Sequence, residues 1–103
     1  MIGRRRDDER DPPVRPVRFP LGRTMATPGV LEHVPPSELW RAMRRHARGD
    51  WGELDDEDSQ ANDRALEEEA RLLSAYVTEA GVKFWIITEA DRSATTALLP
   101  SEY

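Results

Sequence analysis

The sequence predicts an α+β fold, in which a three- to four-stranded antiparallel sheet with a C-terminal β-meander is packed by two or three short helices. Two observations predict it. Residues 71–99 contain three runs rich in Leu, Ile, Val, Trp and Thr, separated by short polar links, which is typical of consecutive strands. Residues 27–69 instead carry helix-start residues and apolar residues at helical spacing. Helices and strands are therefore segregated along the chain.

The meander is predicted to consist of strands at residues 71–78, 82–88 and 94–99, with the charged link 89–93 joining the last two. The middle strand is apolar on both faces after its first two residues, so we expect it at the centre of the sheet. A short early strand is predicted within residues 21–26. We expect helices to cover one face of the sheet, and the N-terminal strand region or a second copy of the chain to cover the other.

Capping residues predict where the first two helices begin and end. Thr27 followed by Pro28 is typical of an N-cap and a first helical position, so a brief helix is predicted there. Ser37 is predicted to cap a longer helix over residues 38–48, and Gly49 to end it.

A third helix is predicted over residues 59–69, after an acidic loop at residues 55–58. The three tryptophans are assigned by their surroundings. Trp40 lies in the apolar stripe of the second helix and Trp85 in the central strand, so both are expected in the core. Trp51 lies in a polar corner formed by residues 46–52 and is the tryptophan expected to be exposed.

Length and charge define one folded domain with a distinct N-terminus. A chain of 103 residues suits a single domain, predicted here over residues 19–103. Residues 1–18 are rich in Arg, Asp and Pro and are predicted to form a disordered tail. The net charge is −5, and residues 50–69 hold ten acids against one arginine. No apolar run approaches the length of a membrane span, so a cytoplasmic protein without a membrane partner is expected.

No cofactor or metal is predicted. The chain has no cysteine, which excludes disulfides, thiolate catalysis and Cys-ligated zinc. The only histidines, His33 and His46, do not have the helical spacing of a zinc pair. Residues 56–67 align loosely with a calcium loop, but Ala61 stands where the sharp turn needs glycine and Arg64 would approach the ion.

Two groups of polar residues are the candidates for a site. A catalytic group would be His46, Arg48, Arg71 and Arg92, which could hold an RNA phosphate with the histidine as general acid or base. A binding group combines the polar corner with the charged link, namely Asp50, Trp51, Glu89, Asp91, Arg92 and Ser93. The alternative for the link is ordinary turn chemistry, in which aspartate and serine side chains bond the local backbone.

The chain also resembles a family of small bacterial proteins. The segments are HARGDWG at residues 46–52, LLSAY at 72–76, WIITEADRS at 85–93, TT at 95–96 and LLPSEY at 98–103. Members of that family are often carried on plasmids or other mobile elements. Their labels read "plasmid-related protein" or "type I restriction endonuclease subunit M". The resemblance implies a setting in mobile DNA and no catalytic residue. The methyltransferase label does not fit these residues, because no cofactor-binding loop or sheet is present.

The sequence therefore predicts a non-enzymatic accessory protein of bacterial mobile DNA that binds a protein partner through its acidic residues 50–69. The alternative for those acids is a simple solvated face. The alternative function is a small metal-independent ribonuclease of toxin type that uses His46 and the arginines. A homodimer is a further expectation, and nucleic acid would bind only through the Arg-rich tail or the ribonuclease site.

Overall fold

Four strands and three helices follow one another along residues 15–103, the part of the chain that this computed structural model describes. In chain order they are β1 (Arg23–Ala26), α1 (Pro28–His33), α2 (Pro36–Ala47), α3 (Asp56–Glu67), β2 (Leu72–Val77), β3 (Lys83–Thr88) and β4 (Ala94–Leu98), followed by a 3-10 turn (Pro100–Glu102). The predicted α+β class is confirmed. Each strand of the meander lies within about one residue of its predicted bounds.

The sheet has the order β1-β4-β3-β2 and is mixed, so the prediction of a purely antiparallel sheet is wrong in one detail. The meander strands pair antiparallel, and β3 lies between two neighbours as expected. β1 instead pairs parallel with β4. The reason is where the chain enters the sheet: the Arg23 N–H donates to the Ser93 carbonyl at 3.0 Å, beside the turn where β4 also begins. Two strands that begin at the same end must run in the same direction.

The main core lies between α1, α2 and one face of the sheet. Val30, Leu39 and Met43 from the helices pack against Phe84 and Ile86 of the central strand. Burial of these apolar side chains is the main favourable contribution to folding.

Thr27 caps α1 as predicted, since its hydroxyl accepts from the Val30 N–H at 3.3 Å. The prediction that Ser37 caps α2 is wrong, because the helix already begins at Pro36 after Pro35. Proline suits a first helical position because its missing N–H has no intrahelical partner there.

The C-terminus covers part of the other face of the sheet, for which the N-terminal strand region or a second copy of the chain was expected. β1 is itself part of the sheet, so it cannot lie across a face. The 3-10 turn folds back on β3, and the Tyr103 ring contacts the Trp85 ring edge-on at 5.6 Å between centroids. The Arg71 guanidinium lies 5.6 Å from the centre of the Tyr103 ring. The last residues of the chain are therefore part of the packed structure.

α3 begins three residues earlier than predicted, so the acidic segment 55–58 is not a loop. Asp55 is the N-cap, and its carboxylate accepts from the Asp58 N–H at 2.8 Å. Acidic residues in a first turn are favourable because they face the positive end of the helix dipole. Asn62 is the inward-facing residue of this helix, whereas Ala61 is exposed.

Two tryptophans exchange their expected environments. Trp51 is buried, with 5% of its surface exposed, and its indole N–H donates to the Asp63 carboxylate at 3.0 Å. Trp40 is 53% exposed. Helical spacing could not separate these cases, because Trp40 lies about 100° around α2 from the buried Leu39, at the margin of the apolar stripe.

The predicted tail reached residue 18, but its last residues contact the end of α2. The Arg18 N–H donates to the Ala47 carbonyl at 2.8 Å, and Arg48 Nε donates to the Arg15 carbonyl at 2.8 Å. The prediction of disorder is therefore wrong for residues 15–18. Residues 1–14 lie outside the described part of the chain.

The β2 edge of the sheet is closed by two neighbouring parts of the chain. The Asn62 amide both donates to the Leu73 carbonyl at 2.5 Å and accepts from the Leu73 N–H at 3.3 Å, as a partner strand would. Further along, the Ala75 N–H donates to the Trp51 carbonyl, and the Ala75 carbonyl accepts from the Glu53 N–H. Edge strands with unpaired backbone groups are prone to pairing with other chains, so these contacts protect this edge.

Gly52 makes that closure possible, and its replacement provides a test. It has φ +77°, and a Cβ there would overlap the Ala75 carbonyl oxygen. We expect Gly52→Ala to lower the free energy of unfolding by about 1–2 kcal/mol for the left-handed backbone and by about 2 kcal/mol more for the forced separation from β2. Urea denaturation measures both.

Gly81→Ala is the matched control, because Gly81 has φ +91° and a Cβ added to it would meet no other atom within 4 Å. It should show only the backbone cost. Equal losses for the two variants would contradict the proposed role of Gly52.

Candidate functional site

A series of buried polar side chains, linked by hydrogen bonds, runs through the core and includes His46, the residue predicted to act as general acid or base. His46 Nδ1 lies 2.5 Å from Ser74 Oγ, and its Nε2 lies 2.8 Å from Thr88 Oγ1. Thr88 Oγ1 lies 2.7 Å from Thr95 Oγ1, which donates to the Leu21 carbonyl at 2.6 Å. His46 and the three hydroxyl residues have no exposed surface. We call this set the polar chain.

The directions of these bonds identify the tautomer of His46. The hydroxyl proton of Thr95 is used on the Leu21 carbonyl, because a carbonyl can only accept. The proton between Thr88 and Thr95 must then come from Thr88. Thr88 can therefore only accept from His46, which places the imidazole proton on Nε2. Nδ1 is left to accept from the Ser74 hydroxyl. Every proton in the polar chain is thus used once.

Burial keeps His46 neutral. Loss of solvation lowers the pKa of the imidazole from 6.5 to about 3, and the positive charge of Arg92 contributes to the same shift. Protonation would also require Nδ1 to donate, which removes the acceptor that the Ser74 hydroxyl uses. A neutral histidine with both nitrogens bonded internally is a structural group. It cannot reach an external substrate in this conformation.

The four catalytic candidates do not form one cleft. Arg71 lies on the face of the sheet opposite His46, where it approaches Glu89 at 3.8 Å and donates to the Tyr103 hydroxyl at 3.0 Å. Arg48 donates to backbone carbonyls at the end of α2. Arg92 donates to the carbonyls of Ala70, Glu89 and Ala90 at 2.7–3.3 Å. The geometry therefore gives the ribonuclease hypothesis no support.

The polar corner is occupied by internal contacts. Asp50 accepts two hydrogen bonds from Arg45, at 2.7 and 3.2 Å, and these contacts lower the pKa of its carboxyl. The Tyr76 hydroxyl donates to the Asp50 carbonyl at 2.7 Å, and burial raises the pKa of that phenol. Trp51 is buried, as described above. Among the predicted binding residues, Asp50 and Trp51 thus have structural partners.

The charged link 89–93 forms a local turn. The Asp91 carboxylate accepts from the Ser93 N–H at 3.0 Å, and the hydrogen bonds from Ser93 lower the pKa of that carboxyl. Arg92 has φ +63°, and its guanidinium returns to the backbone. This is the turn chemistry described as the alternative. Glu89 and Asp91 remain exposed at its surface.

The corner and the link do meet, through Phe19. Its ring contacts the His46 ring edge-on at 5.2 Å and stacks on the Trp51 ring at 6.3 Å. The Arg92 guanidinium lies 5.5 Å from the centre of the same ring. The two segments are therefore joined by a packed aromatic group. Phe19 could not be singled out from the sequence, because nothing in its neighbourhood signals a long-range contact.

An apolar groove at the surface is the feature that the sequence did not predict. It has a volume of about 270 Å³ and runs between β1, α1 and α2. Three large apolar residues at its rim are substantially exposed: Met25 at 41%, Leu31 at 67% and Trp40 at 53%. An exposed group of this kind often marks a contact with another molecule.

Neither a metal-binding group of side chains nor a membrane-spanning helix is found within residues 15–103. No group of three or more His, Asp or Glu side chains there is arranged to hold a metal ion. In the same residues, every helix is too short or too polar to cross a membrane.

In comparisons with known proteins, no family model, no curated protein and no solved structure matched this chain. The resemblance to small plasmid proteins therefore stays a prediction.

The tautomer and charge of His46 can be tested by NMR. In a His33→Gln variant, which leaves one histidine signal, we expect a neutral ring with its proton on Nε2 at pH 5, because burial lowers the pKa of His46 to about 3. Long-range proton–nitrogen correlation spectra distinguish the forms. A proton on Nδ1, or a titration midpoint near 6, would contradict the polar chain as described.

The same burial predicts a pH dependence of stability. The unfolded chain takes up a proton on His46 near pH 6.5, but the folded chain does so only near pH 3. The stability contributed by neutral His46 is therefore complete above pH 6.5 and lost as the pH falls toward 3. Wild type should lose up to about 1.4 kcal/mol per pH unit more than His46→Gln between pH 6 and 4. Parallel curves from urea denaturation would refute this.

Proposed function

We propose that this chain is a non-enzymatic protein-binding module that contacts a basic partner through the surface of α3 and its flanks. The observation that carries the proposal is a set of nine exposed carboxylates, which we call the acidic surface: Glu53, Asp55, Asp56, Glu57, Asp58, Asp63, Glu67, Glu68 and Glu69. Arg64 is the one basic residue among them.

The charge of the acidic surface is not neutralised within the described chain. None of the nine carboxylates forms an ion pair with a base among residues 15–103. Two neighbouring bases are engaged by other groups: Arg45 pairs with Asp50, and the Arg92 guanidinium donates to the Ala65 and Ala70 carbonyls. Uncompensated like charges repel one another, so a partner that brings positive charge would relieve this repulsion.

The helix that carries most of the acidic surface is anchored to the rest of the fold, and two of the nine carboxylates, Asp55 and Asp63, are held by hydrogen bonds. Asp55 caps the start of α3, Asn62 bonds the backbone of β2, and Trp51 donates to Asp63. Fixed charges lose little conformational entropy when a partner binds. A dense set of carboxylates on one anchored helix suits a basic protein surface, such as that of a nucleic-acid-binding protein, by complementarity of charge.

The non-enzymatic part of the proposal is supported by how the polar residues are used. The polar chain is satisfied internally, and the Arg92 guanidinium bonds backbone carbonyls. A setting in bacterial mobile DNA is supported by the resemblance of residues 46–52 and 72–103 alone.

A charge-reversal pair tests this function. Glu67 and Glu68 lie at the C-terminal end of α3, where lysine suits the helix dipole, so Glu67→Lys with Glu68→Lys should leave the fold intact. We expect a partner recovered with the tagged wild-type protein from its native host to be lost, or weakened by about tenfold, with this double variant.

Glu32→Lys with Glu79→Lys is the matched control, because it makes the same change in net charge at exposed sites outside the acidic surface. It should retain the partner, and binding to wild type should weaken as salt is added. Recovery of no partner at any salt concentration, or equal loss in both double variants, would contradict the proposal.

A further inference from the structure

One edge of the sheet is covered by other parts of the chain, and the other edge is open. The β2 edge is closed by Asn62 and by the segment around Gly52, as described above. At the other edge, β1 is exposed along three of its four residues. No hydrogen bond within residues 15–103 joins another part of the chain to the outer side of β1.

The backbone groups that this open edge presents follow from its pairing. The N–H groups of Arg23 and Thr27 donate to carbonyls of Ser93 and Ala97, so these residues face β4. Because backbone groups alternate in direction along a strand, the N–H and C=O groups of Thr24 and Ala26 point away from the sheet. Four groups are therefore available to a further strand.

The apolar groove lies directly beside this edge. Thr24, Met25 and Ala26 form one wall of the groove, and Leu31 and Trp40 lie on the helices opposite. The exposed apolar surface of the groove and the unpaired edge of the sheet therefore lie next to each other, at β1.

We propose that the open edge of β1 pairs antiparallel with β1 of a second copy of this chain, joining two sheets into one of eight strands. A two-fold axis through Met25 places Thr24 opposite Ala26 of the second copy, and both residues have outward groups. That register forms four backbone hydrogen bonds. It is isologous, which is the usual form of a closed dimer.

The register is also complementary in charge. It places Arg23 opposite Thr27 of the second copy, and the Thr27 hydroxyl donates to the Glu102 carboxylate at 2.5 Å. Glu102 also accepts from the Gly29 and Leu99 N–H groups, so its carboxylate is held in place. A base thus faces a fixed acid on each side of the axis. This complementarity of charge favours a second copy of the chain over an unrelated strand as the partner. The proposed dimer does not depend on the acidic surface.

The first test is the mass of the full chain by light scattering from about 1 to about 500 μM. We expect about twice the 11.8 kDa monomer mass at the upper end. Met25→Lys should weaken the dimer by at least about tenfold, because two lysines would face each other across the axis. Val77→Lys is the matched control: Val77 is 44% exposed against 41% for Met25, and it lies on the β2 edge. It should dimerise like wild type.

The second test uses the absence of cysteine from the chain. In the proposed register the two Met25 positions form a non-hydrogen-bonded pair about 4.5 Å apart between Cα atoms, a distance that a disulfide can span. Met25→Cys should therefore give a covalent dimer under mild oxidation, and Val77→Cys should not. Circular dichroism confirms that each variant is folded.

A monomer at every concentration would overturn the proposal. A dimer that tolerates Met25→Lys, or cross-links as readily through Val77→Cys, would overturn it as well.

Discussion

The hydrogen-bonded polar chain around His46 connects α2 to three of the four strands and to the segment that leads into β1. His46 belongs to α2, Ser74 to β2, Thr88 to β3 and Thr95 to β4, and the last acceptor is the Leu21 carbonyl just before β1. Removing one member would leave another buried and without a partner, which costs about 1–3 kcal/mol. The polar chain therefore fixes the position of α2 relative to β2, β3 and β4. Because both ring nitrogens of His46 are bonded within the polar chain, the only buried imidazole of the described residues cannot contact a substrate in this conformation.

The closed and open edges of the sheet give the molecule two distinct ends. α3 lies beside β2 and carries the acidic surface, whereas the apolar groove lies beside β1 at the far side of the sheet. A dimer through β1 would place one acidic surface at each outer end of the eight-stranded sheet. Two copies of a weak electrostatic contact on one rigid body bind a repeated partner more tightly than one copy does. The two proposals are thus compatible and separately testable.

Much of the fold could be predicted because its signals are local. The meander strands and the cap at Thr27 depend on residues close in sequence, and they are confirmed. The direction of β1 could not be predicted, because it depends on a contact between Arg23 and Ser93, which are far apart in sequence. The candidate site was predicted less well. Composition suggested that His46 was available for chemistry, but only packing shows that both its nitrogens are engaged.

The sequence by itself determined the α+β class, the central position of β3, the helix N-cap at Thr27 and the concentration of acids in residues 50–69. These follow from periodicity and composition, which are properties of short segments. Only the tertiary structure decided which tryptophan is buried, that Asn62 closes the β2 edge, and that β1 is left open beside an apolar groove. Burial and edge pairing depend on which distant segments come together in the fold, and local sequence patterns contain no information on those contacts.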